Sequence, residues 1–217
     1  MENREIQEQH PEIENRLPER RERKNDCKQA EKQKTILSCM HDVVFFIVPL
    51  LFVFVFMFRV VVVSGPSMKN TLVSGDFLLV LNQTFYHKPK HGDIIVASKD
   101  NFKNGEPIIK RVIATEGQTV DIDFENGIVY VDGVALEESY TATPTNEEEG
   151  MTFPLMVEDN CIFVMGDNRN SSKDSRNPDI GLVDKREVLG KAIFLIYPGR
   201  GDTYDRVKFD LGRIGVP

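Results

Sequence analysis

The chain has 217 residues, 41% of them hydrophobic and 28% charged, with a formal net charge of −7. That composition suits one ordinary globular core with appendages and excludes a wholly disordered chain. Residues 1–40 hold nine Lys/Arg and nine Asp/Glu, so the acidic excess falls entirely on residues 41–217, which speaks against a nucleic-acid partner.

Residues 1–34 are almost all charged or polar, with Pro11 and Pro18 as breakers and a basic run from Arg20 through Lys24 to Lys34. They read as a disordered or loosely helical tail with no activity of its own. From Ile36 to Phe58 the chain is nearly all apolar, interrupted mainly by His41 and Asp42. At about 1.5 Å per residue this stretch reaches roughly 35 Å, enough to cross a hydrocarbon core of about 30 Å. His41 and Asp42 belong at the headgroup level, because an aspartate in mid-bilayer costs a few kcal/mol. A cleaved leader has a shorter apolar region, about 7–15 residues, and a shorter charged one, so a stable anchor is expected.

Basic residues crowd the N-terminal side of this segment, whereas Arg59 and Lys69 are the only ones close on the other side. The positive-inside rule then places the tail in the cytoplasm. The expected organisation is a cytoplasmic tail over 1–35, a single transmembrane anchor over 36–59 and an extracytoplasmic domain over 60–217. Cys27 and Cys39 precede the anchor and Cys161 follows it, so no disulfide is expected to staple the domain. His87 and His91 flank Pro89, which spoils a helical ligand pair, and neither a metal nor a cofactor is expected.

Beyond the anchor the pattern turns strand-like. Val60–Val63, Phe77–Leu81, Asp93–Ala97 and Ile108–Ala114 are short apolar or β-branched runs separated by Gly, Pro and Asn. Val120–Phe124 alternates, then Glu125-Asn126-Gly127 turns the chain into Ile128–Val131, a hairpin signal. Glu137 to Gly150 is acidic and reads as a surface loop; Cys161–Met165 and Val188–Tyr197 add two strands. The predicted fold is mostly β on one N-terminal transmembrane helix. The apolar Phe77-Leu78-Leu79 is expected to dip into the outer leaflet.

Ser67 stands in Ser64-Gly65-Pro66-Ser67-Met68-Lys69-Asn70-Thr71-Leu72, just past the anchor. A serine hydroxyl needs a base within hydrogen-bond reach to act as a nucleophile. Lysine serves only when neutral; at a pKa of about 10.4, roughly one in 2,500 is neutral at pH 7, and lowering it by about three units costs roughly 4 kcal/mol. Such a lysine belongs on a strand among apolar neighbours, and Lys110 in Pro107-Ile108-Ile109-Lys110-Arg111-Val112-Ile113 fits. Strand alternation puts Ile108, Lys110 and Val112 on one face and Ile109, Arg111 and Ile113 on the other. A third cluster, Gly166-Asp167-Asn168-Arg169-Asn170-Ser171-Ser172-Lys173-Asp174-Ser175-Arg176, is rich in short polar side chains and paired charges that can hold a loop rigid.

These segments, with Gly92-Asp93-Ile94-Ile95-Val96, resemble in order and spacing those of type I signal peptidases, membrane-bound Ser/Lys proteases, over about Ile36 to Tyr197. The resemblance implies a signal-peptidase-type β fold, with Ser67 as nucleophile and Lys110 as general base. It implies that Ser172 orients the lysine amine, that Asp174 and Arg176 form a bracing ion pair with Asp167 beside them, and that the Ser67 N–H is an oxyanion donor. Signal-peptide-bearing precursors and membrane lipid are the implied partners, and a monomer is expected. The short Glu137–Gly150 loop is similar to that of the compact, single-anchor Gram-positive type. Two positions depart from the family pattern: Asn70, where Pro is usual, and Asn170, where Asp is frequent. They leave a silent precursor-binding paralogue as one rival; a self-cleaving repressor, the other, would need a DNA-binding domain in place of residues 1–63.

Overall fold

The computed structural model describes residues 16–99, 102, 105–199, 215 and 217. The chain divides into two compact units, Met1–Phe54 and Val55–Pro217. Helix α1 (Arg16–Met57, 42 residues) supplies the described part of the first. The charged stretch is therefore helical from Arg16 onward, which its Glu, Lys, Arg and Gln content favours; the remainder of the tail lies outside the described residues. Within α1, Glu31–Met57 is long and apolar enough to cross a membrane, and none of that window is buried.

The second unit is built from two antiparallel sheets. Strands β1 (Phe58–Val62), β2 (Phe77–Asn82), β3 (Ile94–Ala97), β4 (Ile108–Thr115), β9 (Cys161–Met165), β10 (Val183–Asp184) and β11 (Val188–Tyr197) form the larger. Its order is β1-β2-β11-β3-β4-β9-β10. The smaller sheet, ordered β7-β6-β5-β8, holds β5 (Thr119–Asp123), β6 (Ile128–Val131), β7 (Val134–Ala135) and β8 (Leu155–Met156). All eight predicted strands are present. The three not anticipated, β7, β8 and β10, have two residues each, too few to show a period.

The Asn126-Gly127 turn closes the β5–β6 hairpin in the register Asp123↔Ile128. Asp123 Oδ1 caps it by accepting the Asn126 N–H at 2.9 Å, and Gly127 takes φ +70°. Alternation along β5 buries Val120 and Ile122, which pack with Val129, Val131, Ile113, Phe163 and Met165 to fasten the small sheet to β4 and β9. A second cluster joins Leu78, Val80, Ile94, Val96, Ile109 and Leu195 with Met68 and Leu72, the two apolar residues that follow Ser67. Anchoring the serine segment on this cluster places Ser67 against the sheet. Leu78 is fully buried in the same cluster, so of the Phe77-Leu78-Leu79 run only Phe77 projects prominently outward, 40% exposed.

β11 changes register against β2 twice and against β3 once, which bends the sheet. Tyr86 and Lys191 brace that bend through Asp93: the Tyr86 hydroxyl donates to Oδ2 and Lys191 Nζ to Oδ1, each at 2.6 Å.

Candidate active site

The turn after β1 brings Ser67 to the end of β4. Lys110 Nζ donates to Ser67 Oγ at 2.8 Å and to the Ile109 carbonyl at 3.1 Å, and Lys110 is only 4% exposed. Two stretches otherwise 43 residues apart thus meet hydroxyl to amine. The pair lies in a cleft of about 470 Å³ walled by Val61–Met68 on one side and Glu106–Lys110 on the other, with Ser171 and Lys173 also lining it. Both walls run toward the pair in their C-terminal direction. β1 is an edge strand, so one side of its backbone is available for a further extended chain.

The loop from Gly166 to Arg176 locks this arrangement from behind. Ser67 O accepts the Asn168 N–H at 3.0 Å, and Pro66 O accepts Asn168 Nδ2 at 3.1 Å. Ser172 Oγ donates to Asp174 Oδ2 at 2.9 Å, and the same oxygen accepts the Gly166 N–H at 3.0 Å. Arg176 grips Asp174 with two bonds, Nε to Oδ1 and Nη2 to Oδ2, both at 2.8 Å, and neither residue is exposed to solvent. Gly166 matters for space: a Cβ there would lie 2.5 Å from Ser67 O and closer still to Ser172 Oγ.

Asp167 belongs to a different pair from the one beside which it was expected. It takes both forks of Arg111, Nε to Oδ1 at 2.8 Å and Nη2 to Oδ2 at 2.7 Å, and accepts the Thr71 hydroxyl at 2.5 Å. Arg111 also donates to the Gly92 carbonyl at 2.8 Å and lies over the Tyr140 ring at 4.1 Å. Consecutive residues on β4 therefore serve the two faces: Lys110 reaches the serine, and Arg111 ties the strand to the polar loop. Burial and the Glu138 carboxylate hold the Tyr140 phenol well above its ordinary value.

The acidic stretch over 137–150 is part of this support. Glu138 clasps the buried Arg169 at 2.5 and 2.6 Å, and Glu149 reaches Arg176 at 3.0 Å. Asn170 Oδ1 accepts the N–H groups of Asn146 and Glu147 at 3.1 and 3.3 Å, a capping task its amide performs without adding charge beside Glu147, Glu148 and Glu149. Asn70 has φ +81° and occupies the third position of a turn closed by Thr71 N to Met68 O at 3.1 Å. Asparagine tolerates that left-handed position and proline is excluded from it. Both departures thus have local backbone reasons.

The family model for signal peptidase, peptidase S26, matches residues 36–197. The chain belongs to the signal peptidase family. A probable signal peptidase I-1 of Synechocystis is 39% identical over 144 residues, covering 63% of this chain and 69% of that protein. Signal peptidase I of Bacillus licheniformis is 32% identical over 179 residues, or 79% of this chain and 94% of the relative. A crystal structure of a signal peptidase I from Enterococcus faecalis V583 is 33% identical and covers 48% of this chain and 96% of its own, at a TM-score of 0.39 that carries no weight for the fold. The residues around the Ser67–Lys110 pair and its loop whose individual roles were not foreseen from the sequence are Arg111, Asn168, Gly166, Glu138 and Glu149. Strand alternation set Arg111 apart from Lys110, but its partner 56 residues away left no local trace.

Proposed function

We propose that this chain is a membrane-anchored endopeptidase that removes N-terminal signal peptides from secretory precursors, using Ser67 as nucleophile and Lys110 as general base. The observation that carries the reading is the 2.8 Å bond between Lys110 Nζ and Ser67 Oγ at one end of an open cleft, in a chain of the signal peptidase family. Neutral Lys110 takes the hydroxyl proton as Oγ attacks the scissile carbonyl. The developing oxyanion is met by the Ser67 backbone N–H, which donates to no other group among the described residues. The lysine ammonium then protonates the departing amine. Water, activated by the same Nζ, hydrolyses the acyl-serine and restores the pair.

The cleft suits an extended peptide laid along the β1 edge, with apolar Val61, Val63, Met68 and Ile108 facing small side chains before the cut. Asp174 and Arg176 are positioning residues that hold the Ser172 hydroxyl against Gly166, beside the Ser67 carbonyl, and Asp167 holds Arg111 and Thr71. The anchor spans the bilayer with its N-terminus in the cytoplasm, so enzyme and precursor share one surface and a raised effective concentration.

The test is cleavage of a model secretory precursor by purified full-length protein in liposomes, beside Ser67→Ala and Lys110→Ala. Both variants are expected to lose activity by at least about a thousandfold. Wild-type rates in either would remove the dyad, and an inert wild type would remove the protease assignment.

A further inference from the structure

A run of contacts leads from the acidic stretch to the backbone of Ser67. Glu149 Oε1 lies 3.0 Å from Arg176 Nη2, and Arg176 is bound twice to Asp174 at 2.8 Å. Asp174 Oδ2 accepts Ser172 Oγ at 2.9 Å and the N–H of Gly166 at 3.0 Å. Gly166 in turn sits directly against Ser67 O and Ser172 Oγ. Two carboxylates therefore share one guanidinium in a solvent-poor pocket, and Arg176 is already neutralised by Asp174. Glu149 adds a negative charge without a counter-charge of its own. Its second oxygen, Oε2, is buried with no hydrogen-bond partner among the described residues. A buried polar atom left in that state calls for a reason.

Resting on the protease reading above, we propose that Glu149 is a positioning residue of this site: it carries a proton while seated on Arg176 and gives it up as the medium becomes alkaline, adding a negative charge behind Ser172 that holds back deprotonation of the catalytic pair. The groups that face or flank it are Asp174 and Arg176 from the catalytic loop, Glu147 and Glu148 from its own stretch, and Arg169 and Lys173 across the hollow. Arg169 is satisfied by Glu138, and Lys173 is exposed at the rim. Burial and the Asp174 carboxylate push the Glu149 carboxyl up to about 7, against the pull of Arg176. The direction follows from two carboxylates competing for one cation. No bond is made or broken in the step beyond transfer of one proton between Glu149 and bulk water.

The folded pKa lies above the unfolded one, so the stability this group contributes is complete below about pH 4.5 and is lost as pH rises through about 7. A glutamine in its place imitates the proton-bound form at every pH.

The experiment uses full-length protein in detergent micelles, with kcat/KM for a quenched peptide spanning a precursor cleavage site measured from pH 5.5 to 9.5. Wild type, Glu149→Gln, Glu149→Asp and the Ser67→Ala control are compared, and the melting temperature of each is recorded from pH 4.5 to 9. The proposal expects the rising limb of Glu149→Gln to move to lower pH by about half a unit, the size expected of one added charge acting at a distance. Glu149→Asp, which keeps an ionisable group, returns it toward wild type. The melting temperature of wild type is expected to fall relative to Glu149→Gln between about pH 4.5 and 7 and then to run parallel to it. Superimposable activity profiles in an active wild type overturn the proposal, and so does a melting gap that is constant across the range. A wild type inert at every pH removes the protease reading instead, and the melting curves still decide whether Glu149 titrates.

Discussion

Replacing Gly166 by alanine tests the geometry most directly. The added Cβ would fall 2.5 Å from the Ser67 carbonyl oxygen and from Ser172 Cβ, well inside the closest approach of real side chains. Neither neighbour can yield cheaply. Ser67 O is held by the Asn168 N–H at 3.0 Å, and Ser172 is tied to Asp174 at 2.9 Å. Relief requires a shift of the order of 1 Å, and overpacking of this kind costs about 1–3 kcal/mol. In a domain of this size that lowers the melting temperature by roughly 2–4 °C per kcal/mol. On the proposed mechanism, moving the Ser67 hydroxyl by about 1 Å costs on the order of a hundredfold in rate. Activity should therefore fall much further than stability. Steady-state cleavage and calorimetry on Gly166→Ala supply both numbers. Gly117→Ala is the control: its φ is +80° but its Cβ meets nothing within 4 Å, so it should lose stability and keep its rate. Activity of Gly166→Ala within about threefold of wild type would refute the close packing of loop, serine and Ser172.

Arg111→Met leaves the fully buried Asp167 without its bidentate partner and should destabilise the domain by about 3–5 kcal/mol, visible as a fall in the urea midpoint. The double variant Arg111→Met/Asp167→Asn should regain part of that loss. At the turn after Ser67, Asn70→Gly should be near neutral, whereas Asn70→Pro should cost more than about 1 kcal/mol, since φ +81° is closed to proline. Phe77 and Tyr197 meet edge to face at 5.9 Å and are 40% and 51% exposed, on adjacent strands. Changing both to serine should weaken sedimentation with vesicles of a domain lacking the anchor, while Leu78→Ser should instead unfold it.

The strands were legible because one-sided burial writes a period of two into the chain, as in Val120 and Ile122, and because Gly and Asn mark the turns. The contact between Ser67 and Lys110 was legible for a chemical reason: a serine proposed as nucleophile calls for a base, and Lys110 is the clearest strand lysine with apolar neighbours. The rest was hidden by distance. Glu138 and Glu149 look like solvated charges until they are seen against Arg169 and Arg176, and the need for glycine at position 166 arises from surfaces supplied by Ser67 and Ser172. The helical character of the charged stretch from Arg16 was equally local, yet it competed with a composition that also suits a disordered tail.

The loop that clamps the serine is made about a hundred residues after it: Asn168 binds Pro66 and Ser67, and Asp167 binds Arg111. A growing chain thus contains the Ser67 hydroxyl and the Lys110 amine well before the residues that fasten them are made. The backing of the Ser67–Lys110 contact is complete only once β9 has docked with its polar extension. The order of synthesis would then delay assembly of the site, a delay that other hydrolases obtain from a removable inhibitory segment.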